Sequence, residues 1–298
     1  MGASRIKQVG IYVGKHFRLF KNEKGWKTIV FAAIISLLIS SVISDKLFTY
    51  DMSCWTGFFA LVSACIWIGI FNSIQTICKE RAIIKREHRT GLHISSYVIS
   101  HLIYQAVICL VEALLLVAIT AIFLPYPDYA LLGSSYIEYF ISYFLITYAA
   151  DVLGLAVSSL VKSPATAMTI MPFVLIVQLL FSGVLFTLNG PMQYMADLTI
   201  SKWGLNATCT SADYNGLEST EKVEMQYKFY EIVEDNNIPL SRDQIDELVD
   251  ENFEKETNKN YLYTTENLMK QWGILLLHCA VYAAISIISL EFVDKDKR

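Results

Sequence analysis

The sequence predicts an all-α membrane protein with six transmembrane helices, and three observations support this fold class. Of its 298 residues, 54% are hydrophobic and 17% are charged, against about 45–50% and about 25% in ordinary globular domains. Mean hydropathy is positive, at +0.42. The apolar residues also fall into separate runs close to the roughly 20 residues that cross a bilayer. This composition excludes an ordinary water-soluble enzyme.

Six apolar segments are candidate spans, and prolines lie mostly between them. The predicted spans are Thr28–Ser44, Trp55–Ile77, Tyr97–Leu124, Tyr136–Val161, Ala165–Leu188 and Gln271–Phe292. Pro172 lies inside the fifth span, where it is expected to kink the helix. The chain therefore divides into an N-terminal segment (1–27), spans one to five (28–188), an outer segment (189–270), and the sixth span with a C-terminal tail (271–298).

Lysine and arginine near the span ends predict the orientation. The N-terminal segment, the loop between spans two and three, Lys162 and the C-terminal tail hold 16 of the 24 basic residues. Because basic residues concentrate in cytoplasmic loops, both termini are expected in the cytoplasm. The chain is then a multi-pass protein of the cell (plasma or inner) membrane, with residues 189–270 outside.

The N-terminal segment predicts an amphipathic helix. Apolar residues recur at helical spacing, at Ile6, Val9, Val13, Phe17 and Phe20, with basic residues mainly elsewhere around the turn. Such a helix lies at the inner membrane surface, facing anionic lipid. Two interpretations stay open: a membrane anchor, or an elbow helix that also contacts a cytoplasmic partner.

The outer segment predicts short helices under an acidic helical cap. Residues 190–207 are semi-apolar but too short to span, so re-entrant or interfacial helices are expected. From Ser211 to Glu266 there are 15 acidic and 5 basic residues. A helix over Thr220–Val233 is expected to turn Val223, Tyr227 and Tyr230 inward. A second helix opens at the Ser241–Gln244 capping box, with one face formed by Ile245, Leu248, Val249 and Phe253.

The charge of this cap is typical of a solvated surface, and recruitment of cationic ligands is the alternative. The six cysteines show no CxxC pair. Cys54 and Cys209 are both expected outside, where an oxidising environment would allow a disulfide between them or between subunits. The sequence leaves the connectivity open.

Motifs for catalysis are absent from the sequence. It has no GxxxxGK[ST] loop, HExxH or GxSxG, so we expect no catalytic residue, no metal site and no cofactor-binding residue in this chain. Nucleic acid is not an expected partner. Glu112, Asp151 and His278 are isolated ionisable groups within spans. They favour structural hydrogen bonds between helices over an intramembrane enzyme.

The segment after span two is rich in charge of both signs. Glu80 with Arg81, and Arg86 with Glu87, are expected to form ion pairs on short helices, and Gly91 allows a tight turn back to the membrane. A rigid charged element here could receive force from a soluble motor. The alternative is a basic loop that only sets topology.

The same segment resembles the ERxxxxRExxxGL…YxxSK signature of ABC type-2 permeases, specifically the G subfamily and its bacterial relatives. The matching positions are Glu80, Arg81, Arg86, Glu87, Gly91, Leu92, Tyr97 and Ser100, with His101 in place of the usual lysine. Phe181–Phe186 is similar to the segment that closes the translocation path, with Val184 and Leu185 as its plug. Ser201–Ala207 is similar to the stretch after the re-entrant helices.

This resemblance implies a dimer of six-span units driven by a partner ATPase subunit, which binds ATP and Mg. Glu80, Arg81, Arg86, Glu87 and Gly91 would couple the chain to that ATPase. Spans two and five would line a cavity at the dimer axis, with Ile68, Phe71, Asn72, Gln75, Phe173, Ile176 and Leu179 as candidates.

The sequence thus predicts the permease subunit of an ATP-binding cassette exporter, with an amphipathic, lipid-like or peptide cargo. The alternative is a membrane receptor or immunity protein that binds a cationic ligand through its acidic cap. The cargo, the direction of transport beyond family analogy, and a homodimer or heterodimer are left open.

Overall fold

The computed structural model describes residues 4–43, 45–186, 188, 190–236 and 238–292, and most of them lie in α-helices. The helices are α1 Arg5–Asn22, α2 Trp26–Val42, α3 Asp51–Ser73, α4 Thr76–Arg89, α5 Ile94–Phe123, α6 Ser135–Leu160, α7 Pro164–Leu180, α8 Pro191–Asp197, α9 Ile200–Ser211, α10 Thr220–Asp235, α11 Arg242–Asn252 and α12 Thr265–Glu291. Among the described residues the only β-type pairing is an isolated bridge between Tyr50 and Glu218. The predicted all-α class is confirmed.

Four helices are long and apolar enough to cross a membrane by themselves, against the six spans predicted. They are α3 together with α4, α5, α6 and α12. A fifth span results if α1 and α2, which meet at a bend of 70°, are taken together. The predicted first and fifth spans form α2 and α7, of 17 residues each. Both are shorter than the roughly 20 residues that cross a bilayer upright.

The fifth predicted span, Ala165–Leu188, is wrong at its C-terminal end, because the apolar sequence continues beyond the last residue of the helix. Helix α7 ends at Leu180. The Ser182 hydroxyl donates to the Leu179 carbonyl at 2.8 Å and accepts from the Val184 amide at 3.2 Å. These bonds hold a turn in place of a further helical turn. The second predicted span is shorter than the helical segment observed, because α4 continues α3 as far as Arg89.

Helices α3 and α6 form the centre of the core, and two glycines allow them to pack closely. A Cβ atom at Gly69 of α3 would lie 2.2 Å from the Thr147 carbonyl of α6. One at Gly154 of α6 would lie 2.4 Å from the Ser73 hydroxyl of α3. Larger side chains would therefore force the two helices apart. The short helix α9 contacts α3, α6 and α12 and buries most of its residues.

Helices α10 and α11 form an acidic hairpin, the name used below for Thr220–Asp235 and Arg242–Asn252. The predicted capping box is confirmed at Ser241 and Gln244. In α11, Ile245 and Val249 are buried. The inward face predicted for α10 is wrong: all of its residues are described and none is buried, and Tyr227 is 66% exposed. A two-helix hairpin is too small to cover both apolar stripes.

Candidate functional site

A cluster of charged side chains with partners on other helices lies where α1, α4 and α5 meet. Helix α4 buries Ile77 and Ile84 against the protein, and its Glu80 and Glu87 contact α1. Gly91 then connects α4 to α5 with φ +106°, and a Cβ atom added there would meet no heavy atom within 4 Å. This backbone conformation favours glycine, and the predicted tight turn is confirmed.

Glu80 binds groups from both neighbouring helices. The Lys15 ammonium of α1 lies 3.4 Å from one carboxylate oxygen of Glu80, and the Tyr97 hydroxyl of α5 donates to the other at 2.9 Å. The side chains of Lys15 and Glu80 are 30% and 18% exposed. Hydrogen bonds to a charged acceptor with this much shielding are stronger than those between neutral groups. Glu80 therefore ties α1 and α5 to α4.

Glu87 and Gly91 make a second connection to α1. The Tyr12 hydroxyl donates to the Glu87 carboxylate at 2.6 Å. Burial, with the adjacent Glu87 carboxylate, raises the pKa of Tyr12 above its ordinary value. The Gln8 amide donates to the Gly91 carbonyl at 3.1 Å and accepts from the His93 amide at 3.0 Å. One side chain of α1, Gln8, thus binds the backbone of the turn after α4 at both Gly91 and His93.

The face of α1 that docks onto the protein is polar. Gln8 and His16 are its buried residues, and they share a face with Tyr12 and Lys15 at helical spacing. The predicted amphipathic helix is present, but part of its apolar stripe faces outwards, since Ile6 is 86% exposed. We name the set Gln8, Tyr12, Lys15, Glu80, Glu87, Gly91 and Tyr97 the α1–α4–α5 junction.

Arg81 and Arg86, the two predicted coupling cations, differ in their surroundings. The Arg81 guanidinium donates to the carbonyls of Ser159 and Val161, at the end of α6, at 2.7 Å and 3.2 Å. Arg86 is exposed. The ion pairs expected within this segment were Glu80 with Arg81 and Arg86 with Glu87. In the structure, both carboxylates bind groups on α1 or α5.

Three of the seven predicted cavity residues line one space of about 710 Å³. Phe71, Asn72 and Gln75 reach it from α3 and the break before α4. The space is enclosed mainly by α1, α4 and α5, and Met168 is the contribution of α7 to its lining. Ile68 is 2% exposed and lies in the core.

The three cavity candidates on α7 lie elsewhere. Phe173 and Ile176 are 67% and 48% exposed, and Leu179 is half-buried. Within this single chain they do not line the space that Phe71 lines. Of the two predicted plug residues, Val184 packs against the core and Leu185 is exposed.

Of the remaining candidates, the two outer cysteines and Glu112 are buried, whereas His278 is partly buried on α12. Cys54 and Cys209 are buried free thiols that belong to the same core cluster. The Asn72 amide donates to Glu112 at 2.8 Å, an interhelical hydrogen bond of the expected kind. His278 contacts the Ile274 carbonyl of its own helix at 2.9 Å.

Sequence reasoning missed Gln8, Tyr12 and Lys15, which hold α1 against the signature segment. The search for an amphipathic pattern used apolar residues and left the polar face unassigned. A stripe of hydrogen-bonding residues at spacings of three and four was the available signal.

A family model and a known protein each match part of this chain. The family model described as ABC-2 type transporter matches residues 7–211, a range that contains the whole α1–α4–α5 junction. The chain is also 27% identical over 152 residues to an ABC transporter ATP-binding/permease protein of Mycobacterium tuberculosis. That match covers 50% of this chain and 18% of the relative, so the chain spans a minor part of the relative's length.

Proposed function

The chain belongs to the ABC-2 type transporter family, and from this premise we propose that it is the permease subunit of an ATP-binding cassette exporter. Members of this family are transmembrane components of transporters, and this chain is a membrane protein with several apolar helices. ATP and Mg bind to a separate ATPase subunit in this proposal. The name of the mycobacterial relative, which joins ATP binding and permease in one protein, supports such a partnership.

The observation that carries the proposal is the α1–α4–α5 junction. A coupling element must transmit displacement without absorbing it, so its charged groups must be fixed to more than one helix. Glu80 and Glu87 contact α1, Glu80 contacts α5, and Arg81 contacts the end of α6. A push on α4 would therefore move α1, α5 and α6 together. The exposed Arg86 is the residue we propose for direct contact with the ATPase.

The proposed topology has six spans, with α2 and α7 completing the set and α1 as the elbow helix. The junction follows the C-terminal end of α3. At the N-terminal end of α3, the Asp51 carboxylate lies 3.7 Å from the Lys255 ammonium, beside the acidic hairpin. Helix α3 has 23 residues, a length of ~35 Å, which matches the hydrocarbon thickness of about 30 Å. This separation supports a cytoplasmic junction, cytoplasmic termini and an extracellular acidic hairpin. The basic C-terminal residues Lys295, Lys297 and Arg298 lie outside the described residues.

The cargo path is proposed at the axis of a dimer, where α7 meets a second permease subunit. The exposure of Phe173 and Ile176 supports an apolar surface that a partner or lipid covers. The exposed plug residue Leu185 belongs to this surface in the proposal, together with the partly buried Leu179 and Val184. An apolar lining of this kind suits an amphipathic or lipid-like cargo.

Site-specific photo-crosslinking tests the coupling role. A photoreactive benzoylphenylalanine replaces Arg86 in one variant and Lys228, an exposed residue of the acidic hairpin, in the control. After irradiation of native membranes, mass spectrometry identifies the crosslinked proteins. We expect a P-loop ATPase crosslinked at position 86 and none at position 228. The same ATPase at both positions, or at neither, would contradict the proposed topology or the proposed partner.

A further inference from the structure

We propose that four cationic side chains at the bend between α1 and α2 bind the anionic head group of a phospholipid. They are Arg18, Lys21, Lys24 and Lys27, and all four are exposed. The two helices meet here at 70°, and α2, the first proposed span, begins at Trp26. The inference uses the membrane position proposed for α2 and is independent of the ATPase partnership.

The stretch from Arg5 to Lys27 carries a large excess of positive charge. It contains seven basic residues and one acidic residue, Glu23. Lys15 is paired with Glu80, whereas none of the four cations of the bend forms an ion pair within the part of the chain that the structure describes. Such a concentration of unpaired like charge creates a positive potential that attracts anions.

The outward side of α1 consists of two neighbouring stripes, one apolar and one basic. The apolar stripe has helical spacing and contains Ile6, Val13, Phe17 and Phe20. The basic stripe lies beside it and contains the exposed side chains of Lys7, Arg18 and Lys21. A bilayer surface covers both stripes, with acyl chains against the apolar one and head groups against the basic one. A soluble partner on the basic stripe would leave the apolar stripe in water, so these neighbouring stripes favour a lipid surface.

Trp26 indicates that the bend lies at the depth of the lipid head groups. It is the first residue of α2 and is 53% exposed, and tryptophan is enriched where spans meet the membrane surface. The apolar Phe31 and Ile34 follow it on α2 and are exposed as well. Lys24 and Lys27 lie within two residues of Trp26 in the chain. Their long side chains can therefore place their ammonium groups beside lipid phosphates.

Lys24 adopts a backbone conformation that favours glycine. Its φ is +57°, and the Gly25 amide donates to the Phe20 carbonyl at 2.7 Å, the bond that closes a helix with a left-handed residue. A glycine at position 24 would form this turn with less strain. Lysine here costs free energy in the chain alone, and attraction between its ammonium and an anionic lipid offsets that cost.

Native mass spectrometry of the full chain in detergent, without any ATPase, tests this proposal. The probes are phosphatidylglycerol, phosphatidylcholine with the same acyl chains, and inorganic phosphate. We expect phosphatidylglycerol to bind in preference to phosphatidylcholine and to stay bound in an excess of inorganic phosphate. One cation near a charged lipid surface is worth about fivefold in affinity. The triple substitution Arg18→Gln, Lys21→Gln and Lys24→Gln should therefore weaken phosphatidylglycerol binding by about tenfold or more.

The matched control is the triple substitution Lys228→Gln, Arg242→Gln and Lys259→Gln. It removes the same number of lysines and arginines from exposed positions of the outer segment. This variant should bind phosphatidylglycerol as the wild type does, because its charges are far from the bend in the proposed topology. The comparison separates a site at the bend from a response to the net charge of the protein.

Lys24→Gly separates binding from folding. Without lipid, we expect this variant to unfold at a temperature at least as high as that of the wild type, because glycine adopts a φ of +57° without strain. Its affinity for phosphatidylglycerol should nevertheless fall about fivefold. A purely structural role for Lys24 would leave the affinity unchanged. If the triple variant of the bend does not fold, Lys24→Gly decides.

Four results would overturn the proposal. They are equal binding of phosphatidylglycerol and phosphatidylcholine to the wild type, displacement of the lipid by inorganic phosphate, unchanged phosphatidylglycerol binding in the folded variants of the bend, and an equal loss of binding in the outer control. Because no ATPase is present, each result is independent of the partner proposed for the chain.

Discussion

The α1–α4–α5 junction and the acidic hairpin flank opposite ends of α3 and use charge in different ways. At the junction, Glu80 and Glu87 bind groups on other helices, and their partners are half-buried. In the hairpin, most charges are exposed, and the pairs join the two hairpin helices to each other, as Lys222 joins Asp250 at 2.7 Å and Tyr230 donates to Asp246. Lys255 ties the region after the hairpin to the body.

This difference teaches that charge density alone does not indicate function. Exposed ion pairs contribute little to stability, about 0–1 kcal/mol each. Charged hydrogen bonds that are shielded and cross between helices contribute more, about 1.5–3 kcal/mol. The junction should therefore be sensitive to single substitutions that change no volume, whereas the hairpin should tolerate them.

The largest expected effect is that of Glu80→Gln. It removes the ion pair through which Lys15 holds α1 to α4, and we expect a loss of about 1.5–2 kcal/mol in the stability of α1 docking; it also weakens the bond from Tyr97 that joins α5 to α4. Hydrogen exchange of the α1 amides should rise about tenfold or more. Asp250→Asn, which removes the hairpin pair with Lys222, is the matched control. Equal exchange in both variants would contradict the proposed difference.

Gly91→Ala should have the next largest effect, about 1–2 kcal/mol, because an alanine at φ +106° is strained. The added methyl group meets no atom within 4 Å, so the cost arises from the backbone alone. Gly14→Ala has equally open surroundings but lies inside α1, where alanine should stabilise by about 0.5–1 kcal/mol. Thermal unfolding of the two variants should therefore shift in opposite directions, and shifts of the same sign would refute this reasoning.

A smaller effect should appear as a pH dependence of α1 docking. Burial, with the neighbouring Lys15 charge, lowers the pKa of His16 from 6.5 to about 4. The unfolded chain therefore binds a proton here at a pH where the folded chain does not. This contribution is complete above pH 6.5 and is lost as the pH falls through about 4. His16→Phe should remove it, so the wild type should lose more α1 protection than the variant between pH 7 and pH 5. Parallel losses would exclude His16 as the titrating group.

Ser241→Ala should have the smallest effect on the whole protein. It removes the capping box at the start of α11, at a cost of about 1 kcal/mol to that helix. Hydrogen exchange should rise in α11 and stay unchanged at the junction. A response at the junction would show that the hairpin and the junction are energetically linked.

The sequence predicted the apolar helices better than the contacts between them. The run from Tyr97 to Leu124 predicted α5 to within three residues at its start, because a long, predominantly apolar run with few charges is enough to predict a membrane-spanning helix. The end of α7 was wrong because hydropathy does not register the Ser182 turn. The prediction of a buried face on α10 was wrong because the apolar residues of this helix have no sufficiently large surface to pack against.

The sequence predicted the α4 part of the candidate site but not its α1 part. Glu80, Glu87 and Gly91 belong to a recognisable segment, whereas Gln8, Tyr12 and Lys15 lie more than 60 residues earlier in the chain. Contacts over such separations depend on how α1 folds back after the bend, which no local pattern encodes. For the same reason, the predicted cavity residues of α3 and α7 do not line one space. The sequence did not show that α1, rather than α7, encloses the space beside Asn72.

ATP hydrolysis by a reconstituted complex of this chain with the ATPase subunit proposed above tests the division of roles most directly. The variants are Arg86→Glu, at the exposed position of α4, and a chain in which residues 220–252 are replaced by a short Gly-Ser linker. We predict at least a tenfold loss of coupled ATP hydrolysis for Arg86→Glu and near wild-type hydrolysis for the chain without the hairpin. Unchanged hydrolysis in Arg86→Glu, together with its loss on removal of the hairpin, would contradict the assignment of coupling to the junction.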